Sequence, residues 1–420
     1  MTEELDDRIA AAAEWEALLG EIRTVEGLEE FLRPPRLEAL KPGAEGPVVM
    51  LNVGRERCDA LVVSDDGVRA LELPGLTRAE VNEEALGYLR TVHGLERAQA
   101  EVSSLRRKLL EGVAAPDDLH AYQDAQRALA GLRLTTEASL RGTLGRLWDR
   151  VTGPVLAHLR PVPRSDGTLP RLWWCPTGQL ALLPLHAAGH HGEPGRSVLD
   201  TVVSSYTPSL RALRLARERS APEGGRMLLV AMTRTPGQAP LPNVASEQAL
   251  LQELFGESGC TVLDESKALG ERVLAELRTH QYAHFSCHGT QNLNEPSRAG
   301  LLFADGMLSV TDLLAARPET DLAFLSACKT ATGGVWLSDE MITLAAALHH
   351  AGCRHVIATL WSVYDPAAAF VSDHVYRELK RDGGLDTDAA AHALHSAVVR
   401  LRDRHPDRPS VWIPFTHTGP

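Results

Sequence analysis

The chain has 420 residues, of which 44% are hydrophobic, and this predicts a large buried core spread over two or three domains. Its formal net charge of −12 argues against nucleic acid as a direct partner. No apolar run approaches the ~18 residues of a membrane span, and no apolar secretory segment lies near the amino terminus. We therefore expect a protein with no direct nucleic-acid or membrane partner.

The six cysteines lie far apart in the sequence, and no two of them form a C-x-x-C pair. This spacing is typical of reduced thiols rather than of a disulfide framework. We therefore predict a cytoplasmic protein.

The first part of the chain is predicted to combine a helical leader, a β-rich segment and a helical insertion. Residues 1–45 begin with a charged helical pattern, and residues 47–73 show strand patterns separated by turn signals. Thr77 and Glu80 have the spacing of a capping box, and a helical period then continues over about residues 77–160.

A polar, turn-rich segment at residues 217–225 marks a predicted domain boundary. The boundary divides the chain into a helical leader (1–45), an amino-terminal half (46–220) and a carboxyl-terminal domain (221–420).

After this boundary, strand-like and helix-like segments alternate regularly. The strand candidates are residues 227–232, 260–263, 282–287, 322–327, 355–361 and 411–415, with an extra hairpin turning at Asp305 and Gly306. The helix candidates are residues 246–256, 269–279, 309–315, 338–351, 366–380 and 387–403. This alternation predicts βαβ units and an α/β fold with a doubly wound, mostly parallel sheet.

Two of the predicted strands lead into residue types that nucleophilic catalysis uses. One strand runs into His288, and another runs into Cys328. Ligands of open α/β sheets bind at the carboxyl ends of the strands, where an imidazole can generate the thiolate that attacks an acyl carbon. The backbone N–H groups of Gly289 and Cys328 are candidate oxyanion donors. The alternative is that both side chains are ordinary buried residues.

The spacing of His284, Cys287 and His288 also suggests a metal site, but the pattern of a strand argues against it. Side chains alternate across a strand, so His284 and Cys287 should face opposite ways, and no second ligand pair has zinc-site spacing. We therefore predict no metal and no cofactor. Cys287 is expected in the core, and His284 is expected to pack or form a hydrogen bond at its strand.

Two aspartates are candidates for a substrate-binding pocket. Asp365 follows a predicted strand and precedes Pro366, where it can cap a helix or pair with a basic substrate side chain. Asp339 begins another predicted helix, where it suits the helix dipole, and it also follows Cys328 closely in sequence. We take Asp365 as the first candidate and Asp339 as the second.

Four motifs resemble, in order, those of the CHAT domain. They are HFSCHG, LSACKTATGG, SDEMITLAAALHHAGCRHVIATLWSVYD and the terminal WIPFTHTGP. Upstream segments such as LPNVASEQAL extend the resemblance over roughly residues 46–420. The family is a group of caspase- and separase-like cysteine proteases, often joined to TPR repeats in bacteria. No repeat of TPR length is visible, which predicts either a short form or a trimmed chain.

The resemblance implies a caspase–hemoglobinase-like α/β fold, in which an inactive caspase-like half with a helical insertion precedes the catalytic domain. It implies that His288 is the base and Cys328 the nucleophile. It also maps an aspartate of the arginine-binding pocket of separase-like relatives onto Asp365. Lys329 stands where many relatives have an acidic residue.

The first function hypothesis is therefore a cysteine endopeptidase that cleaves a protein substrate, with a basic residue favoured before the cleaved bond. The resemblance implies a regulated bacterial protease of antiviral defence or cell death, switched on by a partner or sensor protein. Two alternatives stay open. One is a catalytically silent signalling scaffold, which the intact His288 and Cys328 argue against, and the other is an acyltransferase with the same two residues.

Overall fold

The computed structural model describes residues 2–29, 31–33, 36–112, 115, 117–222, 224–236, 238, 240–290, 299–326, 343–361, 363 and 365–420. The chain divides into two units, Met1–Lys41 and Pro42–Pro420. The first unit contains helix α1 (Thr2–Ile22) and a 3-10 turn at Leu37–Leu40. The described elements that follow belong to the second unit.

The helices of the second unit range from one turn to more than eight turns. In chain order they are α2 (Arg78–Leu110), α3 (Asp118–Leu147), α4 (Gly153–Leu159), α5 (Leu210–Arg217), α6 (Val244–Gly259), α7 (Gly270–Leu277), α8 (Val310–Ala316), α9 (Leu344–Ala351), α10 (Asp365–Leu379), α11 (Ala390–Arg404) and α12 (Pro409–Trp412). A π-helical turn at Trp148–Thr152 joins α3 to α4.

The strands are mostly short. In chain order they are β1 (Val48–Val53), β2 (Cys58–Ser64), β3 (Gly67–Glu72), β4 (Arg171–Pro176), β5 (Val203–Tyr206), β6 (Met227–Ala231), β7 (Cys260–Asp264), β8 (Tyr282–Ser286), β9 (His288–Thr290), β10 (Gly300–Phe303), β11 (Gly306–Ser309), β12 (Leu322–Leu325), β13 (His355–Thr359), β14 (Lys380–Arg381), β15 (Gly384–Leu385) and β16 (Phe415–Thr418).

Eleven of these strands form one sheet, in the order β3-β2-β1-β4-β5-β16-β13-β12-β8-β6-β7. Strands β1, β4, β5 and β16 run parallel to one another, and so do β13, β12, β8, β6 and β7. The two sets meet where β13 pairs antiparallel with β16. The carboxyl ends of the two sets therefore lie at opposite edges of the sheet.

The central strands are buried on both faces, which explains their apolar sequences. Every residue of β6, β8, β12 and β13 is buried. Parallel sheets are covered by helices on both sides and so read as continuous hydrophobic runs. Here α6 packs on β6 and β7, α9 packs on β13, and α11 packs on β5 and β16. The predicted α/β fold with a mostly parallel sheet is confirmed.

The amino-terminal elements also follow the sequence patterns. The backbone N–H of Glu80 donates to the Thr77 hydroxyl at 3.2 Å, and the N–H of Thr77 donates to the Glu80 carboxylate at 3.0 Å. This capping box begins α2, which packs along α3 as a helical hairpin. The hairpin of β10 and β11 turns at Asp305 and Gly306, as expected.

The last predicted strand, at residues 411–415, is wrong in position. The helical turn α12 occupies Val411 and Trp412, and the strand β16 begins at Phe415. A short buried apolar run does not by periodicity alone distinguish a strand from a helix, and Pro409 favours the first turn of a helix. The helix candidate at residues 338–351 begins at Leu344 within the described part, and residues 338–342 lie outside it.

The carboxyl-terminal strand β16 lies between β5 and β13, so the sheet continues past the boundary expected at residues 217–225. The division into residues 1–45, 46–220 and 221–420 stays a prediction. Among the helices in the described part of the chain, none combines the length and the apolar character that crossing a bilayer requires.

Candidate active site

The two strands that lead to His288 and Cys328 are neighbours in the sheet. Strands β8 and β12 run parallel, and Phe285 pairs with Leu325. His288 follows Phe285 by three residues, and Cys328 follows Leu325 by three residues. Adjacent strands lie about 4.8 Å apart, so this register brings the two chain segments to the same edge of the sheet side by side.

His288 lies where the chain leaves the large sheet for a smaller one. Strand β8 ends at Ser286, and His288 begins β9, which pairs antiparallel with β10. In that pairing His288 lies opposite Leu302, and Gly289 lies opposite Leu301. His288 is partly exposed, so its imidazole sits at the border of the core and the solvent.

The remaining candidate positions are Cys328, Asp339 and Asp365. Cys328 and Asp339 lie outside the described residues, as does Lys329. Asp365 is the first residue of α10, which follows β13, and β13 is the parallel neighbour of β12. The start of α10 thus follows the carboxyl end of a strand at the same edge as β8 and β12.

A buried carboxylate lies beneath this edge, at the start of α6. Glu247 is 4% exposed. The Ser326 hydroxyl donates to Glu247 Oε1 at 2.7 Å, and the Ser286 hydroxyl donates to Glu247 Oε2. Glu247 therefore links the last residue of β8 to the residue that follows β12.

His284 completes this polar cluster from the middle of β8. Its Nε2 lies 3.4 Å from Glu247 Oε2, and its Nδ1 forms a 3.0 Å hydrogen bond with the Tyr376 hydroxyl of α10. The His284 ring also stacks on Phe324 of β12, with 5.1 Å between ring centroids. The prediction that His284 packs or forms a hydrogen bond at its strand agrees with these contacts.

Glu247 is ionised at neutral pH despite its burial. Burial alone would raise the pKa of Glu247, but the His284 imidazole and the hydrogen bonds from Ser286 and Ser326 outweigh that effect and lower it below 4.5. Burial raises the pKa of the Tyr376 hydroxyl well above 10, so Tyr376 stays neutral. The cluster thus holds one buried negative charge directly below the edge that leads to His288.

The five cysteines in the described part of the chain are all buried, and none forms a disulfide. Burial raises the pKa of Cys175 and of Cys353 to about 12, and that of Cys260 to about 11. Burial also raises the pKa of Cys58. A thiol with a raised pKa and no access to solvent is a poor nucleophile, so these residues belong to the core. Cys287 is fully buried, as the sequence predicts.

Within the described residues, no group of three or more histidine, cysteine, aspartate or glutamate side chains could hold a metal ion. His284, the candidate ligand nearest the site, is instead engaged by Tyr376 and Glu247.

The sequence reasoning missed Glu247, Ser286 and Ser326, although a signal for them is present. The segments FSCH and LSAC both place a serine two residues before the candidate catalytic residue. Glu247 also occupies the apolar stripe of α6, three residues after Val244 and four before Leu251. A charged residue on such a stripe requires buried polar partners, and the two serines are those partners.

The fold and the family are supported by comparison with other proteins. Two crystal structures of the separase–securin complex of Saccharomyces cerevisiae share the fold, with a TM-score of 0.61 for each. They are 11% and 10% identical to this chain, and the matches cover 91% and 96% of it. The same matches cover only 30% and 31% of the yeast chains, so this chain spans about a third of their length.

At such low identity the likeness to separase establishes the fold alone. No curated protein matches the chain. The model of the CHAT domain matches residues 141–420, which include both parallel sets of strands apart from β1. On this match the chain belongs to the CHAT domain family, and it shares the fold of the part of separase that it matches.

Proposed function

We propose that the protein is a cysteine endopeptidase in which Cys328 is the nucleophile and His288 the general base. The observation that carries the proposal is the register of β8 and β12. It pairs Phe285 with Leu325, so that the chain reaches His288 and Cys328 after equal numbers of residues from neighbouring strands. A base and a nucleophile must lie within hydrogen-bond reach, and neighbouring parallel strands supply that spacing.

The other cysteines support this choice of nucleophile by their burial. Cys58, Cys175, Cys260, Cys287 and Cys353 all lie in the core, away from any substrate. Cys328 follows a strand at the edge of the sheet where ligands of α/β folds bind.

The proposed reaction proceeds through an acyl-enzyme. His288 takes the proton of the Cys328 thiol, and the thiolate attacks the scissile carbonyl carbon. The backbone N–H groups of Gly289 and Cys328 stabilise the resulting oxyanion. The protonated His288 passes its proton to the leaving amine, and the C–N bond breaks. Water activated by His288 then hydrolyses the thioester and restores the thiol.

We assign substrate selection to Asp365, with Asp339 as the second candidate. The start of α10 follows β13, whose carboxyl end lies at the same edge as β8 and β12. A carboxylate there would pair with a basic side chain before the cleaved bond, and arginine would bind best because its guanidinium can bind a carboxylate through two hydrogen bonds.

The proposed substrate is a protein, and an activating partner or sensor protein is proposed to control the enzyme. The wider setting, a bacterial protease of antiviral defence or cell death, rests on the resemblance of its motifs. A cytoplasmic location is proposed from the wide spacing of the six cysteines in the sequence.

An electrophilic peptide probe tests the proposed nucleophile. The probe carries arginine before a reactive ketone, and mass spectrometry locates the adduct in the digested protein. We expect modification of the peptide that contains Cys328, and strong loss of labelling in His288→Ala. Labelling that persists on another cysteine in Cys328→Ala would contradict the assignment. Transfer of an acyl group to an added amine, with no net hydrolysis, would favour the acyltransferase instead.

A further inference from the structure

One carboxylate joins the ends of β8 and β12, the two strands that precede the proposed catalytic residues in sequence. Oxygen Oε1 of Glu247 accepts a 2.7 Å hydrogen bond from Ser326, and its Oε2 accepts one from Ser286. Ser286 precedes His288 by two residues, and Ser326 precedes Cys328 by two residues. Continuing the register of β8 and β12 by one residue places the two serines side by side.

Because the cluster is buried, losing either of these hydrogen bonds leaves a carboxylate oxygen without a donor. Glu247 is 4% exposed and Ser286 is 2% exposed, so water does not easily replace the Ser286 hydroxyl as a donor. Ser326 is partly buried. A buried carboxylate is tolerated only when its oxygens are satisfied. Because each oxygen takes one serine, neither strand end can shift or rotate without breaking a charge-assisted hydrogen bond.

We propose that Glu247 is a positioning residue that fixes the separation and orientation of the chain segments leading to His288 and Cys328, by accepting hydrogen bonds from Ser286 and Ser326. This inference rests on the proposed function, since it assigns a role around the same pair. Glu247 is not itself proposed to touch the substrate or the reacting atoms. It acts through the two serines, each of which is separated from a proposed catalytic residue by a single residue.

We expect the loss of either serine–Glu247 hydrogen bond to lower the reaction rate rather than the substrate affinity. A displacement of about 1 Å between reacting groups can reduce a rate by about 100-fold. Removing one serine hydroxyl frees one strand end, so Ser326→Ala should lower the His288-dependent reactivity of Cys328 by about 10-fold or more. Glu247→Gln keeps the side-chain volume but loses the charge and one acceptor, so it should have a similar effect. Ser326→Thr keeps the hydroxyl and should retain the reactivity.

A matched control is available at the other end of β12. The Thr320 hydroxyl is fully buried and donates to the carbonyl oxygens of Leu277 and His280, at 3.1 and 3.2 Å. Thr320→Val removes buried hydrogen bonding two residues before β12, far from the carboxyl end of that strand. It should reduce stability to an extent comparable with Ser326→Ala, while the reactivity of Cys328 stays unchanged.

The experiment measures the rate at which iodoacetamide alkylates Cys328, as a function of pH, by mass spectrometry of the peptide that contains it. This small reagent needs no substrate pocket and no activating partner. The difference between wild type and His288→Ala defines the contribution of His288. We expect Ser326→Ala and Glu247→Gln to lose most of that difference, and Thr320→Val and Ser326→Thr to keep it.

Two other results would overturn the inference in distinguishable ways. If wild type shows the His288-dependent profile and Ser326→Ala keeps it in full, the positioning role is wrong and the proposed function stands. If wild type and His288→Ala have the same profile, the catalytic pair itself is wrong, and the inference falls with it. Should Glu247→Gln fail to fold, Ser326→Ala compared with Ser326→Thr still decides the question.

Discussion

Lowering the pH should destabilise the protein at the seam between its two sets of parallel strands. His417 on β16 forms a 2.7 Å hydrogen bond with Ser205 on β5, and a 3.1 Å hydrogen bond with His355 on β13. His186 forms a 2.9 Å hydrogen bond with the Tyr206 hydroxyl of β5, and His349 forms a 3.0 Å hydrogen bond with the carbonyl oxygen of Cys353, two residues before β13. All four rings are buried, so the folded protein favours their neutral forms.

Burial lowers the pKa of His186 and of His349 from 6.5 to about 4, and lowers that of His417 well below 6.5. Between about pH 6.5 and pH 4 the unfolded chain therefore binds protons that the folded chain does not. The free energy of unfolding is greatest above this window and falls as the pH is lowered through it. Each such histidine contributes at most about 1.4 kcal/mol per pH unit, a slope that is reached in the middle of the window, so the three together contribute at most about 4 kcal/mol per pH unit.

Urea unfolding at a series of pH values measures this slope, with tryptophan fluorescence as the signal. Trp173, Trp174 and Trp412 are buried and report on the core. In His417→Asn the slope should be smaller by at most about 1.4 kcal/mol per pH unit, because one titrating group is gone. A free energy of unfolding that stays constant between pH 6.5 and pH 5 would refute the reasoning, since it would mean that the buried histidines are protonated equally in both states.

Three further predictions concern the catalytic residues, the pocket and the helical insertion. Cys328→Ala and His288→Ala should each abolish cleavage of a peptide substrate, with little change in melting temperature, because catalytic residues of this kind act as a unit. Near wild-type cleavage by either variant would argue against the pair. Asp365→Asn, which can still cap α10, should weaken the preference for arginine in a cleavage profile, and an unchanged preference would leave only the capping role. Thr77→Ala removes the capping box of α2 and should lower the free energy of unfolding, measured by urea titration, by about 0.5–2 kcal/mol. An unchanged free energy of unfolding would show that the cap is dispensable.

The local patterns of the sequence predict most of the sheet, because each strand carries its own signal. Residues 227–232 and 260–263 are short apolar runs bounded by turns, and they form β6 and β7 nearly as expected. No local sequence pattern predicts that β16 joins the two parallel sets of strands. Strand pairing across the seam depends on contacts distant in sequence, such as Thr359 opposite Phe415, and a one-dimensional pattern does not contain them.

The candidate site also has a part that the sequence predicts and a part that only the structure shows. The strands that precede His288 and Cys328 follow from residue order alone. The role of Glu247 does not, since a glutamate near the start of a helix ordinarily faces solvent and suits the helix dipole. Only the packing of α6 on the sheet turns this residue inward to Ser286 and Ser326.

The most direct test of the proposed peptidase is the identification of new protein amino termini. Purified wild type and Cys328→Ala are each incubated with an extract of denatured proteins, with and without candidate activating partners, and the new termini are labelled and sequenced by mass spectrometry. We predict termini that appear only with wild type and that follow a basic residue, most often arginine. Termini that appear equally with Cys328→Ala would contradict the central claim that Cys328 is the nucleophile of a peptide-bond hydrolase.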